Sequence, residues 1–180
     1  MSLASTPESL LALFDAAADV HREALASLHG DARRARTDRP GQYALDLVVD
    51  AAVLSVLHGA GVGVVSEESG RSGEESAPIT VVVDPVDGST NCAREIPYWG
   101  ISLCALDDHG PLCALVTNTP LGERVTAVRG EGSWRDGRRL VPSSAERVED
   151  AVVAISGMPK RVLAWKQFRA MGSAALSLCD

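Results

Sequence analysis

No apolar run in this 180-residue sequence reaches the ~18 residues that a bilayer span requires, and no basic segment near the N-terminus leads into an apolar one. A membrane partner is therefore not expected, and the chain should be cytoplasmic. Positive charge is scarce as well: 17 Lys and Arg stand against 24 Asp and Glu, a net charge of -7. Such a surface repels nucleic acid and anionic lipid unless a local patch reverses it, so no nucleic-acid partner is expected. The densest basic stretch, RRAR at 33–36, is short, lies close to Asp38, and reads as a solvated helix end. No C-x-x-C pair occurs; Cys92, Cys104, Cys113 and Cys179 read as buried free thiols, not disulfide or zinc partners. His21, His29, His58 and His109 lack ligand spacing, and each reads as a helix-end or loop residue.

What is present is a globular composition, 46% apolar, enough for one ordinary domain with a real core and a fraction of another. Leu10, Leu13, Phe14, Ala17, Val20, Ala24, Leu25 and Leu28 recur at three and four, which predicts an amphipathic helix over 7–28 with Thr6 as N-cap and Pro7 first. Residues 29–42 read as a polar connection. A second, more apolar helix is predicted over 43–58 and stopped by GAG at 59–61. The period then changes. VGVV at 62–65 predicts a strand, a loop is expected through Pro78, and ITVVV at 79–83 predicts a strand buried on both faces. YWGISLCAL and PLCALVTN, joined by DDHG, carry a hairpin signal. Short strands at 124–129 and 138–141 follow, and AVVAIS at 151–156 opens a new segment. Two helices followed by meandering strands imply a layered α+β fold.

The chemistry concentrates at DPVDGST, residues 84–90, directly after ITVVV. Asp84 and Asp87 sit three apart at a strand end, with Pro85 between them holding Asp84 extended and removing one backbone donor. Such a turn can aim both carboxylates and the Val86 carbonyl into one space, a hard-oxygen set suited to Mg²⁺ or Mn²⁺. Glu67 and Glu68 end the earlier strand and join this set if the two strands are neighbours. Gly88, Ser89, Thr90 and Asn91 suggest a helix N-terminus whose free amides favour an anion. Cation-holding carboxylates beside anion-holding amides describe metal-assisted phosphoryl chemistry. Each fragment alone also fits a blander account: DPVDGST as an Asx/Pro/Gly turn, SEESG as a solvated acidic loop. A calcium loop is a third reading, but the alternating acids of an EF-hand are absent.

Taken together, VVSEESG and VVVDPVDGSTN resemble the inositol monophosphatase family, Mg²⁺-dependent, lithium-sensitive phosphatases of sugars, inositols and nucleotides. The resemblance extends to YALDLVVDAAVL, GEGSW, DGRRL and RAMGSAALSLC, nearly the whole chain. It implies a layered α/β sandwich of the inositol monophosphatase and fructose-bisphosphatase type. Residues 1–142 would form the metal- and phosphate-binding α+β domain, and 143–180 the start of an incomplete second one. It also implies that Glu67, Asp84 and the Val86 carbonyl hold one metal and that Asp84 and Asp87 share a second. Glu67 and Ser89 would deprotonate or orient a metal-bound water, with Asp46 hydrogen-bonded to Ser89. Gly88, Ser89 and Thr90 would receive the phosphate, and Gly172, Ser173 and Ala174 would contact the organic part of the substrate, although close packing of small residues also accounts for that last segment. Relatives are often homodimers, so a homodimer is one expectation.

Two departures qualify this. Many relatives carry D-x-V-T-x-x-D and a lysine before the position of Asp46; here Arg36 and Asp38 stand in that region, which removes the support for a third metal. Relatives also continue to a W-D motif, whereas Trp99, Trp134 and Trp165 precede Gly100, Arg135 and Lys166, and the sequence ends at Asp180. Two expectations follow: a Mg²⁺-dependent phosphomonoesterase given as a truncated sequence, or an inactive metal- and phosphate-binding fragment or interaction module. The substrate, whether an inositol, sugar or nucleotide phosphate, is not readable from these residues.

Overall fold

The computed structural model describes residues 5–155 and 167–180, leaving Ser156, Trp165 and Lys166 outside the described residues. Its first element, α1 (Pro7–Ala26), starts where the sequence predicts: the Thr6 side chain accepts from the Ser9 amide and Ser9 answers on the Thr6 backbone. Its buried face is Leu10, Phe14, Ala17, Ala18, His21 and Leu25. A short helix, α2 (Gly30–Arg34), occupies part of the expected polar connection. Arg33 is not solvated there: its Nε donates to the Cys92 carbonyl at 2.9 Å and its guanidinium lies 5.5 Å from the Trp99 ring centroid. The next helix, α3 (Ala44–Gly59), packs on α1.

The sheet comprises β1 (Gly63–Ser66), β2 (Gly70–Gly73), β3 (Thr80–Asp87), β4 (Gly100–Asp107), β5 (Gly110–Asn118), β6 (Glu123–Val128), β7 (Gly132–Arg135) and β8 (Arg138–Arg139), with α4 (Ser89–Arg94) between β3 and β4. Its order is β2-β1-β3-β4-β5-β6-β7-β8. The expected loop before Pro78 contains β2, which pairs antiparallel with β1, and β7 fills what reads as punctuation. β1 and β3 are parallel neighbours, while β3 to β8 form an antiparallel meander. The hairpin of β4 and β5 forms as predicted.

Burial along β3 corrects one expectation. Val81 and Val83 are buried under the helices, but Val82 is 40% exposed, so only one face is covered. The pattern continues through β4 and β5: Ile101, Leu103, Ala105, Cys113 and Leu115 are buried, whereas Ser102, Cys104, Ala114 and Val116 are half-buried. Alternation of period two thus places α1 and α3 against one side. At Gly100 the neighbouring strand leaves no room for a side chain: a Cβ would stand 1.6 Å from the Thr117 carbonyl oxygen. The four cysteines are free thiols, though Cys92 lies in α4, not a strand.

After β8 come β9 (Val152–Ala154) and β10 (Gln167–Arg169), a parallel pair, and α5 (Ala174–Cys179). Hydrogen bonds tie this segment to the rest, several of them at its end. Asn91 Nδ2 donates to the Met171 carbonyl, Arg135 Nη2 donates to Asp180 at 2.6 Å, and the Tyr98 hydroxyl donates to Asp180 at 2.7 Å.

Candidate active site

β1 and β3 end side by side, with Ser66 opposite Val83, and the Glu67 amide continues the pairing by donating to the Val83 carbonyl at 3.0 Å. The acids that follow each strand are thereby brought to one place. Asp46, Glu67, Glu68, Asp84 and Asp87 wall a cavity of about 250 Å³, together with Val86, Gly88, Ser89 and Arg39. A larger hollow, about 830 Å³, lies elsewhere, on the uncovered face of the sheet, with predominantly apolar walls. The acidic cavity is the one with convergent ionisable chemistry.

The β3–β4 register shifts between Asp84 and Asp87, so the strand bulges at the motif. Within the bulge the Val86 amide donates to Asp84 Oδ1 at 3.1 Å. Gly88 follows with φ of 88°, and a Cβ there would meet the Tyr98 and Gly172 carbonyls at 3.1 and 3.2 Å. Burial, then the charges of Glu67 and Asp87, hold the Asp84 carboxyl well above the usual carboxylate range. Asp46 is pushed up to about 6, chiefly by burial, with Glu68 and Glu67 adding repulsion.

Asp46 does not bond to Ser89, contrary to expectation. Its Oδ2 accepts from the Tyr43 amide at 2.8 Å, closing the start of α3, and its Oδ1 is buried without a partner. Glu68 is turned to the cavity rim, where Gln42 donates to it and Arg39 Nη1 lies at 3.5 Å. Asp87 faces α5: its oxygens accept from the Ser173 hydroxyl and from the Ala174 and Ala175 amides, at 3.1 and 2.8 Å for the amides. Ser173 and Ala174 therefore reach Asp87 and do not wall the cavity, Gly172 packs on Asn91, and Thr90 is exposed outside the cavity wall.

The donor set is all oxygen, crowded with like charge, and includes one orphaned buried carboxylate oxygen. This composition fits a hard divalent cation. The shell is not closed: among the described residues no three acidic, histidine or cysteine side chains already stand in a coordinating arrangement, and Asp87 is engaged elsewhere.

Two contributors escape the sequence reading. Asp50, one turn after Asp46, is buried and accepts from Ser66 Oγ at 2.5 Å, while Ser66 Oγ accepts from the Glu68 amide at 3.1 Å. Acids at i and i+4 on the apolar face of a helix were the available signal. His21 is wholly buried mid-helix, its Nδ1 2.9 Å from the Pro85 carbonyl oxygen and its Nε2 2.9 Å from Thr119 Oγ1.

A family model for the inositol monophosphatase family matches residues 10–180. The chain belongs to the inositol monophosphatase family. Its curated relatives include a fructose-1,6-bisphosphatase/inositol-1-monophosphatase of Archaeoglobus fulgidus, 37% identical over 76% of this chain and 53% of its own length. The Nus factor SuhB of Escherichia coli is 28% identical over 64% of this chain and 48% of its own. The chain thus spans about half the length of these two relatives. Among solved structures, a Pyrococcus horikoshii protein described as similar to inositol-1 monophosphatase superposes with a TM-score of 0.84 at 23% identity, over 97% of this chain and 70% of its own. The Bartonella henselae extragenic suppressor suhB gives 0.79 at 26%, over 94% and 71%. These superpositions establish the family's α+β fold, and the relatives named as phosphatases place the chain in a phosphatase family. No helix among the described residues is long and apolar enough to cross a membrane.

Proposed function

We propose that the chain carries the metal- and phosphate-binding half of a Mg²⁺-dependent phosphomonoesterase acting on a small phosphorylated metabolite. The observation that supports this reading is the convergence of five carboxylates on one cavity at the carboxyl ends of a parallel strand pair, beside Gly88 and Ser89. Glu67, Asp84 and the Val86 carbonyl would hold the cation, with Asp87 able to join on release from α5. Mg²⁺ or Mn²⁺ there would supply a Lewis acid and would neutralise charge on the phosphoryl oxygens. Gly88 and Ser89 present backbone at the cavity wall, where a phosphate would sit. Glu67 would take the proton of the attacking water as the new P–O bond forms and the ester P–O bond breaks, the leaving alcohol oxygen taking a proton from solvent, with Ser89 orienting the attacking water. Residues 143–180 belong to a second unit in this reading.

The test is Mg²⁺-dependent release of inorganic phosphate from a panel of inositol, sugar and nucleotide monophosphates, with Asp84→Asn as control. Release that the substitution abolishes is expected; equal release from both proteins overturns the reading. A second reading, a metal- and phosphate-binding module without turnover, is favoured by one observation: three donors already occupy the Asp87 carboxylate. Saturable Mn²⁺ binding with no phosphate release from any ester would support it.

A further inference from the structure

A chain of hydrogen bonds runs from β4 through α1 to the acidic cavity, and its direction is determined by its one obligate acceptor. The Pro85 carbonyl oxygen can only accept, so the His21 Nδ1 facing it at 2.9 Å carries the proton. The buried imidazole is neutral, because desolvation lowers its pKa to about 4. Its Nε2 is therefore an acceptor, and the Thr119 hydroxyl at 2.9 Å donates to it. Thr119 Oγ1, having given its proton to His21, accepts from the Thr117 hydroxyl at 3.1 Å, and Thr117 Oγ1 in turn accepts from the Ile101 amide at 3.4 Å. Every link is a donor meeting an acceptor.

The chain does not stop at Pro85. The Pro85 carbonyl and the Val86 N–H belong to one planar trans peptide and point in opposite directions. While the carbonyl accepts from His21, the N–H of the same peptide donates to Asp84 Oδ1 at 3.1 Å. The peptide sits in the β-bulge, where the ladder between Asp84 and Asp87 is broken and its carbonyl needs a partner elsewhere. A carboxylate crowded by Glu67 and Asp87 has reason to rotate; one oxygen pinned by a fixed N–H removes part of that freedom.

We propose that His21 is a positioning residue that aims the Asp84 carboxylate into the acidic cavity through the Pro85–Val86 peptide plane. Its importance for metal binding rests on the reading of Asp84 as a cation ligand; the geometric coupling does not. Outer partners of metal ligands act this way generally, and losing one typically costs ~10–100-fold in metal affinity.

The experiment compares wild type, His21→Asn and His21→Leu by two readouts. Asparagine places an N–H donor on the same γ carbon that carries Nδ1, so it can still reach the Pro85 carbonyl, whereas leucine cannot. By NMR without metal, wild type should show the Nδ1–H tautomer at neutral pH, and the Val86 amide should be slow to exchange in wild type and His21→Asn and fast in His21→Leu. By Mn²⁺ titration, His21→Leu should bind ~10–100-fold more weakly than wild type, with His21→Asn close to wild type. An Nε2–H tautomer, or a Val86 amide indifferent to leucine, overturns the proposal. Tight Mn²⁺ binding by His21→Leu also overturns it. If wild type binds no Mn²⁺, the phosphatase reading fails while the Val86 amide still decides the coupling. Should His21→Leu not fold, Thr119→Val, which removes the donor to Nε2, replaces it: the Pro85 carbonyl should still hold the Nδ1–H tautomer and the Val86 amide should stay slow to exchange, and a shift to the Nε2–H tautomer overturns the proposal.

Discussion

The two faces of the sheet are built to different standards. Leu10 and Phe14 of α1 and Val81, Ile101 and Leu103 of the sheet face beneath it are all fully buried; across the sheet, Val141 is 81% exposed, Val152 62% and Leu178 89%, around the 830 Å³ hollow. The acidic cavity draws on both. Asp46 comes from α3, and Asp84 is held by way of His21 from the packed side, whereas Asp87 is held by α5 beside the hollow. Dense packing thus preorganises Asp84, whereas Asp87 depends on a thinly packed segment.

Phe14→Ala on the packed face should cost about 3–5 kcal/mol in denaturant unfolding, through lost transfer energy and the cavity left behind; a cost below about 1 kcal/mol would mean that the packed face is no better built than the other. Titration of His21 is next. Because the unfolded chain takes up this proton near pH 6.5 and the folded chain only near 4, stability falls as pH drops between those values, by about 3 kcal/mol from this group. Asp84 pulls the opposite way, so the group is isolated as the difference between wild type and His21→Asn, whose unfolding curves should converge as the pH approaches 4. At the junction of the two faces, Asp84→Asn removes a carboxyl whose ionisation is opposed by burial, Glu67 and Asp87, and should raise the stability of the metal-free protein at neutral pH by roughly 0.5–2 kcal/mol while abolishing thermal stabilisation by Mg²⁺. A variant that is both less stable and still Mg²⁺-responsive would show that Asp84 is a structural residue. The smallest effect is expected at Leu178→Ala on α5: within about 0.5 kcal/mol, since that side chain is nearly free of contacts. A loss near that of Phe14→Ala would show that the open face is covered in solution.

Local rules read well wherever the controlling partner is near in sequence. Thr6 capping α1, GAG closing α3, and the DDHG hairpin were legible because each is decided within a few residues. So was the crowding of acids around Asp84, since Asp, Pro and Gly at a strand end carry their own chemistry, although Asp87 is taken up by α5. Reading failed where the partner is distant. ITVVV looked doubly buried because an apolar run cannot say whether a second layer lies on each side, and β2 was hidden because GRSG has no strand propensity and forms only against β1. His21 looked like a helix-end residue because its partners, Pro85 and Thr119, lie 64 and 98 positions away.

Most of the longer elements, the family and the acids that meet at the cavity were legible from residues alone, because periodicity, caps and short motifs act over one or two turns of chain. Only the tertiary structure decided which oxygens are free. The parallel pairing of β1 and β3 sets the acids side by side, α5 claims the Asp87 carboxylate, and the path from His21 across one peptide plane reaches Asp84. Those outcomes depend on hydrogen bonds and burial between segments far apart in sequence, and a buried donor or acceptor takes the partner that the fold brings to it.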